Sequence, residues 1–171
     1  LNVKGISLEG LQVLPTLEFD LTKFDSRERL NVWRSFTSGV YESIPTLTSS
    51  GGINAHFAYY KLGECIFEKG THTGNSVRRT AQNAMRVDTE FLVLRMDKTS
   101  AVKAVIADRS YSTRPSDLLI YDYNQDIEVN TAHSNFLNFR IPYSSIGYDP
   151  SKHRGALHVL GESPLGLILK S

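Results

Sequence analysis

Histidine is the residue type in this chain that is best suited to metal chemistry. A metal site in a small barrel needs two or three imidazoles and a carboxylate that converge on one ion. Two imidazoles on a strand share a face when they lie two residues apart. The histidines lie at positions 56, 72, 133, 153 and 158. No pair has that spacing, and neither Glu64 nor Glu162 is in phase with any of them. We therefore predict no metal site and no other cofactor.

Nucleophilic catalysis has as little support in the sequence. The single cysteine, Cys65, lies in an apolar run that is typical of a strand, and a buried thiol is inert. The chain has no Gly-x-Ser-x-Gly elbow, no Walker loop and no dinucleotide-binding fingerprint. Glycines occur in "KGTHTGNS", but without the spacing or the flanking strand and helix of a phosphate loop. We therefore predict no catalytic residues, and a protein that is not an enzyme.

Two strand-like runs carry polar residues that need a different explanation. In "EFLVLRM", alternation places Arg95 on the same face as two apolar neighbours. In "NFLNFRIP", Asn138 and Arg140 share one face of the strand. If these faces line a barrel, they put hydrogen-bond donors inside a concave ligand site. The alternative is a face in solvent, where an arginine needs no explanation.

Aromatic residues could complete such a site. Four tyrosines lie in strand-like runs and could stack on a ligand, although strands favour tyrosine for packing alone. They are Tyr59, Tyr60, Tyr121 and Tyr123. From both groups of residues, the predicted ligand contacts are Arg95, Asn138, Arg140 and Tyr121.

The first element that would support this site is an amphipathic helix in "FDSRERLNVWRSFTSGVYESIP". Asp25 can cap it, and Glu28, three residues later, can complete a capping box. Apolar residues then recur every three or four positions, which places them on one buried face. They are Leu30, Trp33, Phe36 and Val40. We expect the last turn near Tyr41, because Pro45 cannot continue a helix, and we assign residues 25–45 to this element.

Residues 46–162 favour antiparallel β structure. Short aromatic and aliphatic runs, closed by turn residues, recur along this part of the chain. This regular spacing of short strands is typical of a β-sandwich or a small β-barrel. One stretch, "TGNSVRRTAQNAMRVD", favours instead a helix of about two turns capped by Ser76. Its inward-facing residues would be Val77, Ala81 and Met85.

Charge and composition limit the partners of this chain. The 19 Lys and Arg residues are nearly balanced by 18 Asp and Glu residues, and the one cysteine cannot form an internal disulfide. Nucleic-acid binding needs a clustered basic surface, so we expect none by this chain alone. No apolar run approaches the roughly 20 residues that span a bilayer. We therefore predict a cytoplasmic protein without membrane contacts.

The two ends of the chain differ from the middle. Residues 1–24 lack the basic region and long apolar core of a signal peptide, and we expect an arm or an extra strand. Residues 163–171 favour the start of a helix, with Ser163 as its cap and Pro164 in its first turn. The Leu/Ile run of this helix could pair with its symmetry mate in a two-fold dimer. The predicted dimer contacts are Leu165, Leu167, Ile168 and Leu169.

In "RPSDLLIYDYNQDIEV", a Pro-Ser-Asp turn leads into an apolar strand that aspartate closes. Four further segments, "FDSRERLNVWRSF", "VRRTAQNAMRVDTEFLVLRM", "FLNFRIPYSSI" and "HRGALHVLGESPLGLILKS", complete a series that runs from residue 19 to the end. Their order and spacing resemble the N-terminal effector-binding domain of AraC-type transcriptional regulators. Ser116 stands where that family usually has glycine.

The resemblance implies both a fold and a function. The fold is a cupin-like antiparallel β-barrel, or double-stranded β-helix, preceded by an amphipathic helix. The function is to bind a small-molecule effector and to form a homodimer, with DNA bound only by a C-terminal helix-turn-helix domain outside this chain. Two alternatives stay open. One is a cupin-type oxygenase or isomerase that uses His56, His72 or His133, and the other is an interaction module whose barrel is filled by its own aromatic residues.

Overall fold

A computed structural model describes residues 16–45, 52–73, 75–80, 83, 90–131, 133–152 and 156–160. Within these residues most of the chain is β structure. The strands are β1 Leu17–Asp20, β2 Glu42–Pro45, β3 Ala55–Leu62, β4 Cys65–His72, β5 Asn75–Arg79, β6 Phe91–Asp97, β7 Val102–Ile106, β8 Arg109–Ser112, β9 Leu118–Asp122, β10 Ile127–Thr131, β11 Ser134–Pro142 and β12 Ala156–Leu160. The helices are a 3-10 turn at Leu21–Lys23, α1 at Arg29–Thr37 and the short α2 at Tyr143–Ile146.

The strands form two antiparallel sheets. The larger sheet has the order β1-β3-β4-β11-β6-β9-β12, and the smaller has the order β2-β5-β10-β7-β8. Buried side chains of both sheets meet in one group, which we call the inter-sheet cluster. It comprises Val93, Val102, Ala104, Ile106, Leu119, Tyr121, Tyr123, Ile127 and Val129. The predicted mainly β fold with flanking helices is confirmed.

A second group of buried residues lies where α1 packs on the larger sheet. This helix-side cluster comprises Leu21, Trp33, Ile53, Ala55, Phe57 and Phe136. Its rings are in close contact, with the Trp33 and Phe57 centroids 5.5 Å apart. The Trp33 indole N–H donates to Ser43 Oγ over 2.6 Å, so its polar atom is satisfied inside the core. The predicted packing role of the single tryptophan is confirmed.

Helix α1 is shorter than the sequence predicts. It ends at Thr37, and residues 42–45 form strand β2 instead of further helical turns. The predicted capping box is also wrong. The Asp25 carboxylate accepts from the Arg27 amide over 2.9 Å, which closes a turn before the helix, and Glu28 makes no side-chain capping bond. The reason for the early end is tertiary, because β2 pairs along its whole length with β5.

The helix predicted from Ser76 is wrong as well. Residues 75–79 form strand β5, which pairs with β10 on one side and β2 on the other. Hydrogen-bonded ladders on both edges outweigh the weak helical pattern of this stretch. Ala81 and Met85 lie outside the described residues.

The ends of the chain are described only in part. Residues 17–20, within the segment expected to form an arm or an extra strand, form β1 at the edge of the larger sheet. The predicted dimer contacts Leu165, Leu167, Ile168 and Leu169 lie outside the described residues. No helix within the described ranges is long and apolar enough to cross a membrane.

The backbone conformation of the turn before β9 suits glycine at the position that Ser116 occupies. Ser116 has a φ of 67°, in the left-handed region that suits glycine better than serine. The Asp117 amide donates to the Arg114 carbonyl over 3.1 Å, which closes the turn. The Ser116 amide donates to the Asp97 carbonyl over 2.6 Å. The turn therefore ties the start of β9 to the end of β6.

Candidate functional site

A cavity of about 240 Å³ lies between the two sheets and the segment that contains α1. Strands β3, β4, β6, β9 and β11 supply one wall, while β5 and β10 supply the opposite wall. Much of the lining is aromatic, and it includes Trp33, Phe36, Tyr41, Phe57, Tyr59, Tyr121, Tyr123 and Phe136. Leu17 also lines the cavity and is 54% exposed, so one rim reaches the protein surface.

A row of polar side chains crosses this apolar lining. Asn138 on β11 is the register partner of Glu68 on β4 and of Arg95 on β6. Side chains of directly paired residues point to the same face of a sheet. The three groups therefore form a continuous strip on the inner face of the larger sheet, and all three line the cavity.

Glu68 is held by two donors within this strip. Arg140 Nη2 donates to Glu68 Oε2 over 2.7 Å, and Asn138 Nδ2 donates to the same oxygen over 3.2 Å. Burial by itself would lower the pKa of Arg140, but the neighbouring Glu68 carboxylate reverses this and raises that pKa above its usual value. Arg140 therefore keeps its positive charge, and its guanidinium forms a buried ion pair with Glu68.

Arg95 is held more loosely. Its Nη1 lies 3.4 Å from Asn138 Oδ1 and its Nη2 lies 3.5 Å from Ser134 Oγ. Nη2 is also 3.6 Å from Asp97 Oδ2. All three distances are long for charge-assisted bonds, and Arg95 Nε is buried without a hydrogen-bond partner among the described residues. The guanidinium lies 4.4 Å from the Phe136 ring centroid, so part of its environment is a π face.

Asp97 lies behind Arg95 and has its own donors. The amides of Thr99 and Ser100 donate to its Oδ1 over 3.2 and 3.1 Å, and the Ser134 hydroxyl donates to its Oδ2. The carboxylate is almost completely buried. It is therefore satisfied by the loop after β6 and by β11, independently of Arg95.

Two guanidinium groups approach the ring of Tyr123. Arg79 lies 3.9 Å from the ring centroid and Arg140 lies 5.0 Å from it. Arg79 is 1% exposed and donates through Nη1 to the Tyr123 carbonyl, but its Nε and Nη2 have no hydrogen-bond partner among the described residues. The Tyr123 hydroxyl is likewise buried without one. This edge of the cavity is therefore rich in unused donors.

Burial holds the tyrosines and one histidine around the cavity in their neutral forms. Burial raises the pKa of Tyr121 to about 12, and it also raises the pKa values of Tyr41 and Tyr59 well above the usual range of a phenol. Burial also lowers the pKa of His72 to about 4, although its Nδ1 lies 2.7 Å from the Thr73 carbonyl. At neutral pH the lining therefore contains phenols and a neutral imidazole beside the Arg140–Glu68 ion pair.

The histidines do not converge. His56 lies 2.8 Å from Glu18 on the surface, His72 lies in the cavity wall, and His133 is exposed. The side chains of His153 and His158 lie outside the described part of the chain. Within that part, no group of three or more His, Cys, Asp or Glu residues could hold a metal ion. Cys65, at the start of β4, is partly exposed.

All four residues predicted as ligand contacts line the same cavity: Arg95, Asn138, Arg140 and Tyr121. Sequence reasoning missed Glu68 and Arg79 as parts of this region. It named Tyr123 only among the tyrosines that could stack on a ligand, and His72 only for the enzyme alternative. Alternation along β4 places Glu68, Gly70 and His72 on one face, and that signal was available. Nothing in the sequence shows that this face meets Asn138, because the two strands are far apart along the chain.

The fold of this chain is similar to that of a known regulator. No family model and no curated protein sequence matches the chain. The crystal structure of the AraC-like transcriptional activator CuxR superposes with a TM-score of 0.76 at 12% identity, over 90% of this chain. This chain spans 56% of the length of that activator chain. The chain thus shares the mainly antiparallel β fold of that AraC-like activator over most of its length.

Two weaker similarities are to other solved structures. The Clostridium difficile EutQ protein matches with a TM-score of 0.42 at 9% identity, over 54% of this chain and 71% of its own. A predicted oxalate decarboxylase from Thermotoga maritima matches with a TM-score of 0.41 at 13% identity, over 62% of this chain and 96% of its own.

Proposed function

We propose that this chain is the effector-sensing domain of an AraC-type transcriptional regulator. A small molecule binds in the cavity and changes how the domain holds the elements that follow it. DNA is bound by a helix-turn-helix domain outside this chain, and the regulator acts in the cytoplasm as a homodimer. The single observation that carries the proposal is the cavity, because it combines aromatic walls with buried donors that the protein leaves unused.

Two features support a binding role over a purely structural one. Buried polar groups are normally paired, and an unpaired one costs roughly 1–3 kcal/mol. The cavity region has several such groups, on Arg95, Arg79 and Tyr123. A ligand that accepts hydrogen bonds would satisfy some of them. The similarity of the fold to an AraC-like activator supports the regulatory context.

The first test is a ligand screen with a blocked cavity as control. Sugars, aromatic acids, amines and fatty acids are compared by thermal denaturation of the protein. A true ligand at about 100 times its dissociation constant adds roughly 2.7 kcal/mol to the free energy of unfolding. Val129→Phe places a ring in the cavity and should abolish this gain. Val105→Phe makes the same change on an exposed position of the neighbouring strand β7 and should preserve it.

Should Val129→Phe fail to fold, Val77→Phe blocks the same cavity from β5. A hit is then tested with the protein expressed from its natural gene, by measuring its affinity for promoter DNA with and without the ligand. Coupling of this kind typically changes affinity about 5- to 150-fold. If no class of compound stabilises the protein, the interaction module is the better description. Stoichiometric metal together with turnover would instead make it an enzyme.

A further inference from the structure

The buried charges around the cavity do not balance. Three arginines, Arg79, Arg95 and Arg140, have their guanidinium groups in or against the cavity wall, and the carboxylates that contact them belong to Glu68 and Asp97. Arg140 pairs with Glu68 and Arg95 with Asp97, so the arginine without a carboxylate contact among the described residues is Arg79, which is not part of the cavity lining. Of the two lining arginines, Arg95 is compensated less firmly, because it lies 3.6 Å from Asp97 whereas Arg140 lies 2.7 Å from Glu68. A buried charge is costly unless it is well paired, so Arg95 is the lining charge that gains most from an anion in the cavity.

The available donors are concentrated at two side chains. Arg95 Nε and the Tyr123 hydroxyl are both buried, both belong to residues that line the cavity, and neither has a hydrogen-bond partner among the described residues. Arg95 also makes only long contacts, of 3.4 to 3.6 Å. An arginine presents five N–H donors in a planar fork that matches a carboxylate. Arg95 is therefore the group best placed to bind an anionic ligand.

Arg140 is not equivalent to Arg95. Its Nη2 is 2.7 Å from Glu68, and its removal would leave a buried carboxylate without its counter-ion. Removal of Arg95 leaves no such defect, because Asp97 keeps donors from Thr99, Ser100 and Ser134. The loose guanidinium can thus turn to a ligand while the Arg140–Glu68 ion pair stays intact.

We infer that the cavity takes a small aromatic monocarboxylate, with its carboxylate on Arg95 and its ring among the aromatic side chains. This inference rests on the proposed function, since it names the chemical class of the effector. The loosely paired guanidinium of Arg95 offers one positive charge, which matches a carboxylate monoanion better than a phosphate dianion. The volume of about 240 Å³ lies below the roughly 300–1,000 Å³ of sites for drug-sized ligands, so a one-ring acid fits.

The test compares acids with their uncharged amides. Benzoate, 4-hydroxybenzoate and phenylacetate are each titrated by calorimetry against the protein, beside the corresponding amide. At least one acid should bind ten-fold or more tightly than its amide. Arg95→Met should remove that preference and leave the affinity for the amide within about two-fold. Arg109→Met, at an exposed position on β8, should change neither affinity.

Each outcome has a defined meaning. Should Arg95→Met fail to fold, Arg95→Gln replaces it, with the same loss expected. If the amides bind as well as the acids, the ligand need not be anionic, but the proposal that the cavity binds an effector still holds. If inorganic phosphate binds more tightly than all three acids, the ligand is not a carboxylate. If none of these probes binds but another compound class stabilises the protein, this inference fails and the proposed function survives. If no compound class does, both fail.

Discussion

The inter-sheet cluster and the helix-side cluster belong to the same barrel, but they are built from different side chains. The first is mostly aliphatic and follows strict alternation, as in β7 and β10, where every second residue is buried. Half of the second is aromatic, and around it rings such as Phe19 and Phe36 stack at 3.8 Å. The cavity opens where the rings lie.

The two clusters differ in whether their residues are expected to affect only the stability of the domain or also its ligand binding. Within the inter-sheet cluster, the residues around Ile106 lie away from the cavity lining, whereas four members belong to it: Tyr121, Tyr123, Ile127 and Val129. The helix-side cluster borders the polar strip of Glu68, Asn138 and Arg95, and its member Phe136 contacts the Arg95 guanidinium. Substitutions in the part of the inter-sheet cluster around Ile106 should therefore change folding alone, and substitutions in the helix-side cluster should change folding and ligand binding together.

The largest effect should come from the aliphatic region. Ile106 is completely buried, so Ile106→Ala should lower the free energy of unfolding by about 2–5 kcal/mol, through lost burial and the cavity left behind. Urea denaturation measures this. Val105→Ala, one residue away on the exposed face, should cost less than about 1 kcal/mol. Equal losses for the two variants would show that β7 does not face the core as described.

A histidine in the cavity wall should make the stability of the protein depend on pH. The pKa of His72 is lowered to about 4 from an ordinary 6.5, so between these values the unfolded chain binds a proton that the native protein does not. The free energy of unfolding should then fall as the pH drops from 6.5 to 4, by up to about 3 kcal/mol, and should be fully retained above 6.5. The cause is burial, to which the positive charge of Arg95 adds, while Asp97 opposes it.

Denaturation at a series of pH values provides the measurement. His72→Gln should remove this slope, and His133→Gln, which changes an exposed histidine, should keep it. A slope that persists unchanged in His72→Gln would assign the acid sensitivity to another group.

A smaller effect should come from overfilling the ring cluster. A Cβ at Gly70 would lie 2.7 Å from Phe57, 2.8 Å from Phe136 and 3.0 Å from the backbone oxygen of His56. Gly70→Ala should therefore cost about 1–3 kcal/mol, because the rings must shift and the backbone cannot move freely. Gly39→Ala meets no atom within 4 Å and should be neutral or stabilising by less than about 1 kcal/mol. Thermal denaturation of both variants checks the difference, and equal melting temperatures would contradict it.

Much of the β structure could be predicted because it is local. Strands such as β7, β9 and β10 carry clear alternation or short apolar runs between turn residues, and the structure confirms them. Strand β5 could not be predicted, because its residues favour a helix until neighbouring strands pair with both of its edges. The end of α1 was missed for the same reason, since β2 exists only through its pairing with β5.

By itself, the sequence determined that Arg95, Asn138 and Arg140 lie on strand faces where an apolar pattern is interrupted. Period-two alternation is a property of neighbouring residues, and it survives in any arrangement of strands. Only the tertiary structure decided that these faces line one cavity and that Glu68 neutralises Arg140 while Arg95 stays loosely held. Glu68 and Asn138 are 70 residues apart, and Arg95 and Asn138 are 43 apart. Contacts over such separations depend on strand order and register. A shift of one residue in register would move these side chains to the opposite face of the sheet.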